Sequence, residues 1–254
     1  MFRVVIPARY DSVRLPGKAL RGLAGKPMLQ WVYERAAAAG AAEVLIATDD
    51  ARILDAARAF GAEGIMTAAT HGSGTDRIAE VASARRWPDR DIVVNLQGDE
   101  PLMPPVLIAQ VAALLDLTPG ADIATLAARI SSVDELLDTN TVKVVTDASG
   151  RALYFSRAPI PWNRAGAPAG LASQTDARGA RRHLGIYAYR VGALKRLAAF
   201  APTALETREK LEQLRALENG LGIQVADACE PAGPDVNTAA DLARVEALLG
   251  GAPN

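Results

Sequence analysis

The stretch Val4-Val5-Ile6-Pro7-Ala8-Arg9-Tyr10-Asp11-Ser12-Val13-Arg14-Leu15-Pro16-Gly17-Lys18 decides the fold class. Its short apolar run reads as a buried β-strand. The strand stops near Pro7 and opens into a loop with two arginines, a serine, a Pro-Gly pair and a lysine. A first strand that delivers three cations onto one loop is how a parallel sheet holds a polyanion, because ligands sit beyond the carboxyl ends of such strands. Arginine forks onto phosphate oxygens and lysine supplies a point charge, so a triphosphate is the candidate ligand. The plainer alternative is a solvated basic loop. No GxxxxGK[ST] and no GxGxxG occurs, so this is neither a Walker loop nor a Rossmann fingerprint.

Outward from that loop, strand and helix patterns alternate. Strands are expected at Phe2 to Ile6, Glu43 to Ala47, Asp91 to Asn95 and Ile123 to Ala128. Helices are expected at Pro27 to Ala39, Ala51 to Phe60, Thr75 to Arg86 and Pro104 to Asp116. This order implies βαβ units and an α/β, doubly wound, mostly parallel sheet. After about residue 130 the rhythm changes. Thr141 to Asp147 and Arg151 to Ser156 flank Ala148-Ser149-Gly150, a hairpin signal. Residues 158–182 read as loop and Leu184 to Tyr189 as strand. Leu205 to Glu218 reads as one amphipathic helix, Ile223 to Ala226 as a short strand and Thr238 to Leu249 as a terminal helix. Residues 1–254 are expected to form a single domain, with about 130–204 an antiparallel excursion used for dimerisation.

The chain of 254 residues is half hydrophobic with a net charge of −1, which argues against binding nucleic acid through bulk charge. No apolar run is long enough to span a membrane, and because the N-terminus opens on strand material no signal peptide is expected. Lone Cys229 cannot form an internal disulfide, so a cytoplasmic location is expected. One Cys and two His make zinc a poor candidate.

Several further clusters could carry chemistry. Asn95-Leu96-Gln97-Gly98-Asp99-Glu100-Pro101 follows a buried strand, where an α/β fold places a metal-binding carboxylate; magnesium needs one or two of these. Capping of the next helix is the alternative. Ala47-Thr48-Asp49-Asp50 ends another strand, with Asp50 placed to cap the following helix. In His71-Gly72-Ser73-Gly74-Thr75-Asp76-Arg77, a glycine turn enters a helix whose first amides could hold an anion or a base edge. Alternation puts His183, Gly185, Tyr187 and Tyr189 on one strand face. Glu206, Glu209, Glu212 and Gln213 fall on the late helix, where the plain reading is a solvated face. Asp235 and Asn237 precede the last helix, with Thr238 as its N-cap.

Taken together, these words resemble the 3-deoxy-D-manno-octulosonate (KDO) cytidylyltransferases, the CMP-KDO synthetases of lipopolysaccharide biosynthesis. The resemblance covers nearly the whole chain. The first half alone would also fit the sialic-acid cytidylyltransferases. The discriminating words are Asn95 to Pro101, Phe155-Ser156-Arg157, His183 to Arg190 and Glu209 to Arg215. The resemblance implies that Ala8, Arg9, Ser12, Arg14 and Lys18 hold CTP, with Arg14, Lys18 and Asp99 catalytic. It implies that Thr48, Ser73, Gly74 and Arg77 lie about the cytidine. Gln97 would stand at the reacting centre, and Arg157, His183, Tyr187, Glu212 and Gln213 would shape the acidic-sugar pocket. A Mg2+ cofactor on Asp99 and a homodimer complete the implied picture. His183 is the one candidate base. Two departures stand out. Asn237 occupies the position of the family's second aspartate ligand, leaving Asp235 as an alternative ligand, and Ala19 replaces a proline. The rival readings are CMP transfer to a sialic-acid-like or 8-amino sugar, and a nucleotide-binding module with a weakened metal site.

Overall fold

The computed structural model describes residues 1–11, 15–167 and 169–250. Its strands are β1 (Phe2–Ala8), β2 (Gly22–Leu23), β3 (Lys26–Pro27), β4 (Glu43–Thr48), β5 (Glu63–Met66), β6 (Ile92–Asn95), β7 (Ile123–Arg129), β8 (Lys143–Thr146), β9 (Ala152–Ser156), β10 (Arg181–Arg190) and β11 (Ile223–Asp227). Its helices are α1 (Met28–Ala37), α2 (Ala51–Ala59), α3 (Gly74–Ala84), α4 (Pro105–Asp116), α5 (Val133–Leu137), α6 (Val191–Ala199), α7 (Ala204–Glu209), α8 (Gln213–Glu218) and α9 (Ala239–Gly250). Among the described residues, no helix is long and apolar enough to cross a membrane.

The main sheet runs β11-β7-β10-β6-β1-β4-β5. β1 pairs in parallel with β4 and β6, β4 with β5, and β7 with β11. Alternation along β1 sends Val4 and Ile6 to one face and Val5 to the other. On the first face they meet Leu29 and Val32 of α1, Ile53 of α2 and Leu107 and Val111 of α4. On the second, Val5 and Val93 pack with Ile78 and Val81 of α3, Leu194 and Leu197 of α6 and Leu214 of α8. Burying each such aliphatic side chain contributes roughly 1.5–3 kcal/mol. The mostly parallel sheet, covered on both faces, is the expected α/β architecture.

Three expectations change. β10 is no excursion: it lies inside the main sheet, antiparallel to both β6 and β7, so the excursion from about 130 to 204 returns through the middle of the fold. Only β8 and β9 form the small antiparallel extension. The helix expected over Leu205 to Glu218 is two helices, because Lys210 takes a left-handed backbone (φ 56°) that ends α7. Finally, β5, α5 and α6 lie where no element was expected. β5 is a short edge strand and α5 a single turn; α6 follows β10 directly, with no loop residue between Arg190 and Val191.

Candidate active site

The carboxyl ends of β1, β4 and β6 converge, as a parallel sheet requires. Two glycines allow the close approach: a Cβ on Gly98 would lie 3.1 Å from the Pro7 carbonyl oxygen, and one on Gly74 3.1 Å from Pro7 Cγ. The loop after β1 folds back through a Gly17 N–H to Tyr10 carbonyl bond of 3.1 Å. The Arg52 guanidinium stacks 3.3 Å over the Tyr10 ring and is held by Asp50, which caps α2 through Arg52 N–H at 2.9 Å. Pro7, Ala8, Arg9, Lys18, Gln97 and Asp99 then line a cavity of about 230 Å3. Arg9 donates to the His71 carbonyl. Ser12 and Arg14 lie outside the described residues.

Lys18 is the pivot of this cavity. Its Nζ donates to Asp99 Oδ2 at 2.6 Å and lies 3.5 Å from Asn237 Oδ1. A Val236 N–H to Asp99 carbonyl bond of 2.9 Å brings the 235–237 segment to this point. Asn237 Nδ2 donates to Asp235, so the amide is oriented at both ends, nitrogen to carboxylate and oxygen to ammonium. Thr238 and Asp241 form a capping box behind it. Burial, aided by the charges of Asp99 and Asp235, pushes Glu100 up to about 8, so it is largely neutral at pH 7. Among the described residues, no three His, Cys, Asp or Glu side chains group closely enough to form a metal cage.

Two further cavities adjoin the first. One of about 210 Å3 is lined by Gly74, Thr75, Asn95, Gln97, Tyr187, Tyr189, Glu212 and Gln213. The break at Lys210 makes this pocket, because a continuous helix would not start afresh at Glu212 and Gln213. Glu212 accepts from Thr75 Oγ1 in the first turn of α3. The Tyr187 hydroxyl is buried without a hydrogen-bond partner, and burial pushes its phenol well above the usual range. The other cavity, of about 730 Å3, is lined by Gln97, Asp99, Glu100, Asn140, Val142, Arg182, His183 and Asp235 among others. Gln97 borders all three spaces, and Asp99 the first and third.

Some expected contact residues face inward instead. Arg77 is wholly buried, with Nη2 on Asp49 at 2.7 Å and Nη1 on Thr67. Thr48 is also fully buried, its hydroxyl accepting from Asp50 N–H at 3.2 Å. These two hold strand ends together. Ser73 spends its acceptor on the α3 capping box with Asp76. Arg157 ties Nε to the Glu209 carbonyl at 2.8 Å and Nη1 to the Thr139 carbonyl at 2.9 Å.

His183 is unsuited to be the base. Burial pushes it down to about 3, so it is a neutral, weakly basic imidazole at pH 7. Its Nε2 lies 3.0 Å from Thr125 Oγ1, whose hydroxyl is 2.7 Å from the Ile186 carbonyl. The hydroxyl donates to that carbonyl, so Nε2 carries the proton and donates to Thr125. Glu206 and Glu209 are not a solvated face either. Glu206 pairs with Arg215 at 2.5 Å, and Glu209 accepts from Ser156 Oγ and Arg157 N–H. Sequence reasoning missed both, because each partner is distant along the chain or lies across the helix break.

Residues 3–224 match the cytidylyltransferase family. The chain belongs to that family. Within it the enzyme groups with proteins named 3-deoxy-manno-octulosonate cytidylyltransferase. It is 56% identical over 249 residues to the one from Thioalkalivibrio sulfidiphilus, covering 98% of both chains. It is 54% identical over 248 residues to the one from Halorhodospira halophila, covering 98% of this chain and 96% of the relative. A solved CMP:2-keto-3-deoxy-manno-octonic acid synthetase complexed with CTP superposes with a TM-score of 0.88 at 42% identity, covering 98% and 99% of the two chains. A cytidylyltransferase from Leptospira borgpetersenii shares the fold at 15% identity, with a TM-score of 0.63 over 99% of this chain and 87% of that one.

Proposed function

We propose that this enzyme transfers CMP from CTP to 3-deoxy-D-manno-octulosonate, releasing pyrophosphate and supplying an activated acidic sugar for lipopolysaccharide assembly. The observation that carries the reading is the junction at Lys18, Asp99 and Gln97, where a cationic cavity meets two further polar spaces. The kinship with relatives of that name and with a CTP-bound synthetase supports the choice of substrates.

The anomeric hydroxyl oxygen of the sugar attacks the α-phosphorus as the bond to the β-phosphate oxygen breaks, and the hydroxyl proton passes to solvent. Such a transfer asks mainly for alignment and charge neutralisation. Arg9 and Lys18 neutralise the triphosphate and then the leaving pyrophosphate. Gln97 can donate to either substrate. Glu212, Gln213 and the Tyr187 hydroxyl offer polar partners to the sugar hydroxyls.

Magnesium fits the donor set. Asp99 and the Asn237 amide oxygen converge on one point, Asp235 stands beside them, and Mg2+ takes one or two protein oxygens while keeping water and phosphate. The ion supplies Lewis-acid polarisation of the α-phosphate when bound. Asn237 in place of an aspartate lowers the local negative charge, and Asp235 restores it two residues away. A second copy of the chain is the proposed partner, supported by the exposed Leu153, Trp162 and Leu171 of the 130–204 stretch. A reducing, cytoplasmic setting accords with the lone exposed Cys229.

The test is pyrophosphate release with CTP, magnesium and a panel of acidic sugars, beside UTP as control. The reading expects turnover with KDO and CTP and little with UTP. Faster turnover with a sialic-acid-like or 8-amino sugar, or CTP binding without turnover, would contradict it.

A further inference from the structure

Behind the sugar pocket lies a charged latch of Lys143, Arg157 and Glu209, none of which itself lines the three cavities. Lys143 is completely buried, yet it is a lysine. Its Nζ donates to three main-chain carbonyls: Asp138 at 2.9 Å, Thr141 at 2.7 Å and Arg157 at 2.6 Å. Glu209 answers from the other side. Its carboxylate accepts from Arg157 N–H at 3.0 Å and from Ser156 Oγ at 2.7 Å, while its carbonyl accepts from Arg157 Nε at 2.8 Å. The main chain of Arg157 is thus gripped at its carbonyl by a buried cation and at its N–H by an anion. Arg157 then reaches back to the Thr139 carbonyl, closing the loop.

Two walls of the site are joined through this grip. On one side, Lys143 holds the turn at 138–141, which leads into Asn140, Thr141 and Val142 along the large cavity, and Val142 in turn accepts the His183 N–H at 2.8 Å. On the other side, Glu209 ends α7, and the left-handed Lys210 beside it swings Glu212 and Gln213 into the smaller pocket. A buried lysine costs desolvation, and an apolar residue of similar volume would give a cheaper core. What the ammonium adds is direction, since three carbonyls must converge on one point.

We propose that Lys143 and Glu209 are positioning residues that set the spacing of the two walls of the acidic-sugar pocket by latching the main chain of Arg157 between them. The inference rests on the proposed sugar-binding role of that pocket. None of its residues lines the CTP cavity at Lys18, whose walls come from the end of β1, the loop after it and the loop after β6.

The experiment uses the full chain with Lys143→Met, Glu209→Gln and the double variant. The readouts are sugar KM, kcat, CTP dissociation constant and, independently of turnover, sugar affinity by calorimetry with a CTP analogue. Folding is checked by circular dichroism and melting. The expected result is a rise of about tenfold in sugar KM and dissociation constant in each single variant, with CTP affinity within about twofold. The double variant should be little worse than either single one, because groups in one network are not additive. Folded variants with unshifted sugar affinity would overturn the proposal, as would equal losses for CTP and sugar or multiplying effects. If Lys143→Met does not fold, Glu209→Gln and Ser156→Ala carry the same comparison. Absent wild-type turnover with KDO would refute the functional reading, whereas normal wild-type turnover with unshifted variants would refute the latch alone.

Discussion

Acidification should weaken this fold through His183 well before the carboxylates are protonated. Burial holds the native imidazole at about 3, against 6.5 when free. Its folded value is therefore depressed, so the native state binds fewer protons than the unfolded chain between those limits. Stability must fall as pH drops through that window. At about 1.36 kcal/mol per pKa unit, the complete gap is worth several kcal/mol, reached only below pH 3. At pH 5 the unfolded chain is largely charged at this position and the native one is not, and the loss relative to pH 7.5 is about 2 kcal/mol. The assay is urea unfolding of wild type and His183→Gln at pH 7.5 and pH 5. The variant should be weaker at pH 7.5 because it loses the edge-on Phe155 contact, 5.1 Å between ring centres. Its further decline to pH 5 should be about 2 kcal/mol smaller than that of wild type. Equal declines, or a His183 NMR resonance titrating near 6.5, would refute the reasoning. The same depression predicts that His183 contributes no limb to the activity profile between pH 6 and 8.

Three more outcomes follow from named contacts. Arg77→Met leaves Asp49 without its 2.7 Å partner, and breaking a buried pair costs about 3–5 kcal/mol; an unfolding free energy from urea titration within about 1 kcal/mol of wild type, on the order expected for a surface change, would count against this. Asn237→Asp adds a carboxylate facing Lys18 and should lower the magnesium concentration at half-maximal rate severalfold, whereas an unchanged titration would remove position 237 from the metal site. Glu206, held low by its hydrogen bond to Arg215, contributes stability above the usual carboxylate range that is lost as pH falls below it; Glu206→Gln should be weaker at pH 7 yet lose less between pH 5 and pH 3, and parallel curves would contradict the pairing.

The sheet was legible where each strand carries its own signal. β1, β4 and β6 are Val- and Ile-rich runs ending in polar loops, and their buried patterns leave one arrangement, parallel with helices on both faces. β10 was visible as a strand, but alternation states which side chains share a face and says nothing of which neighbours a strand will take. Its insertion between β6 and β7 is a tertiary fact. The break at Lys210 was hidden because lysine carries no glycine-like signal for a left-handed backbone, while the apolar spacing from Leu205 to Leu217 suits a single helix. That break is what turns Glu212 and Gln213 inward.

The site divides in the same way. Asp99 and Lys18 stand out because charges at strand ends have few structural uses. The buried tasks of Arg77, Lys143 and Glu209 depend on partners 28, 14 and 53 residues away, so no local pattern could announce them. Arg77 was expected near the cytidine only through the family resemblance, since a glycine turn with a downstream arginine is a weak signal by itself. Its guanidinium instead pins β4 to α3 through Asp49 and Thr67.

The central claim is that the nucleotide and an acidic sugar are joined where Lys18 meets Asp99. Phosphorus NMR of a mixture of CTP, KDO and magnesium tests it most directly, with wild type beside Asp99→Ala. For wild type the account predicts that a CMP-sugar phosphodiester and pyrophosphate appear in equal amounts. For an Asp99→Ala protein of unchanged circular dichroism, it predicts a rate lower by at least about a hundredfold, the scale seen when one charge-stabilising group is lost. Near-normal phosphodiester formation by that variant, or unchanged CTP with wild type, would contradict it.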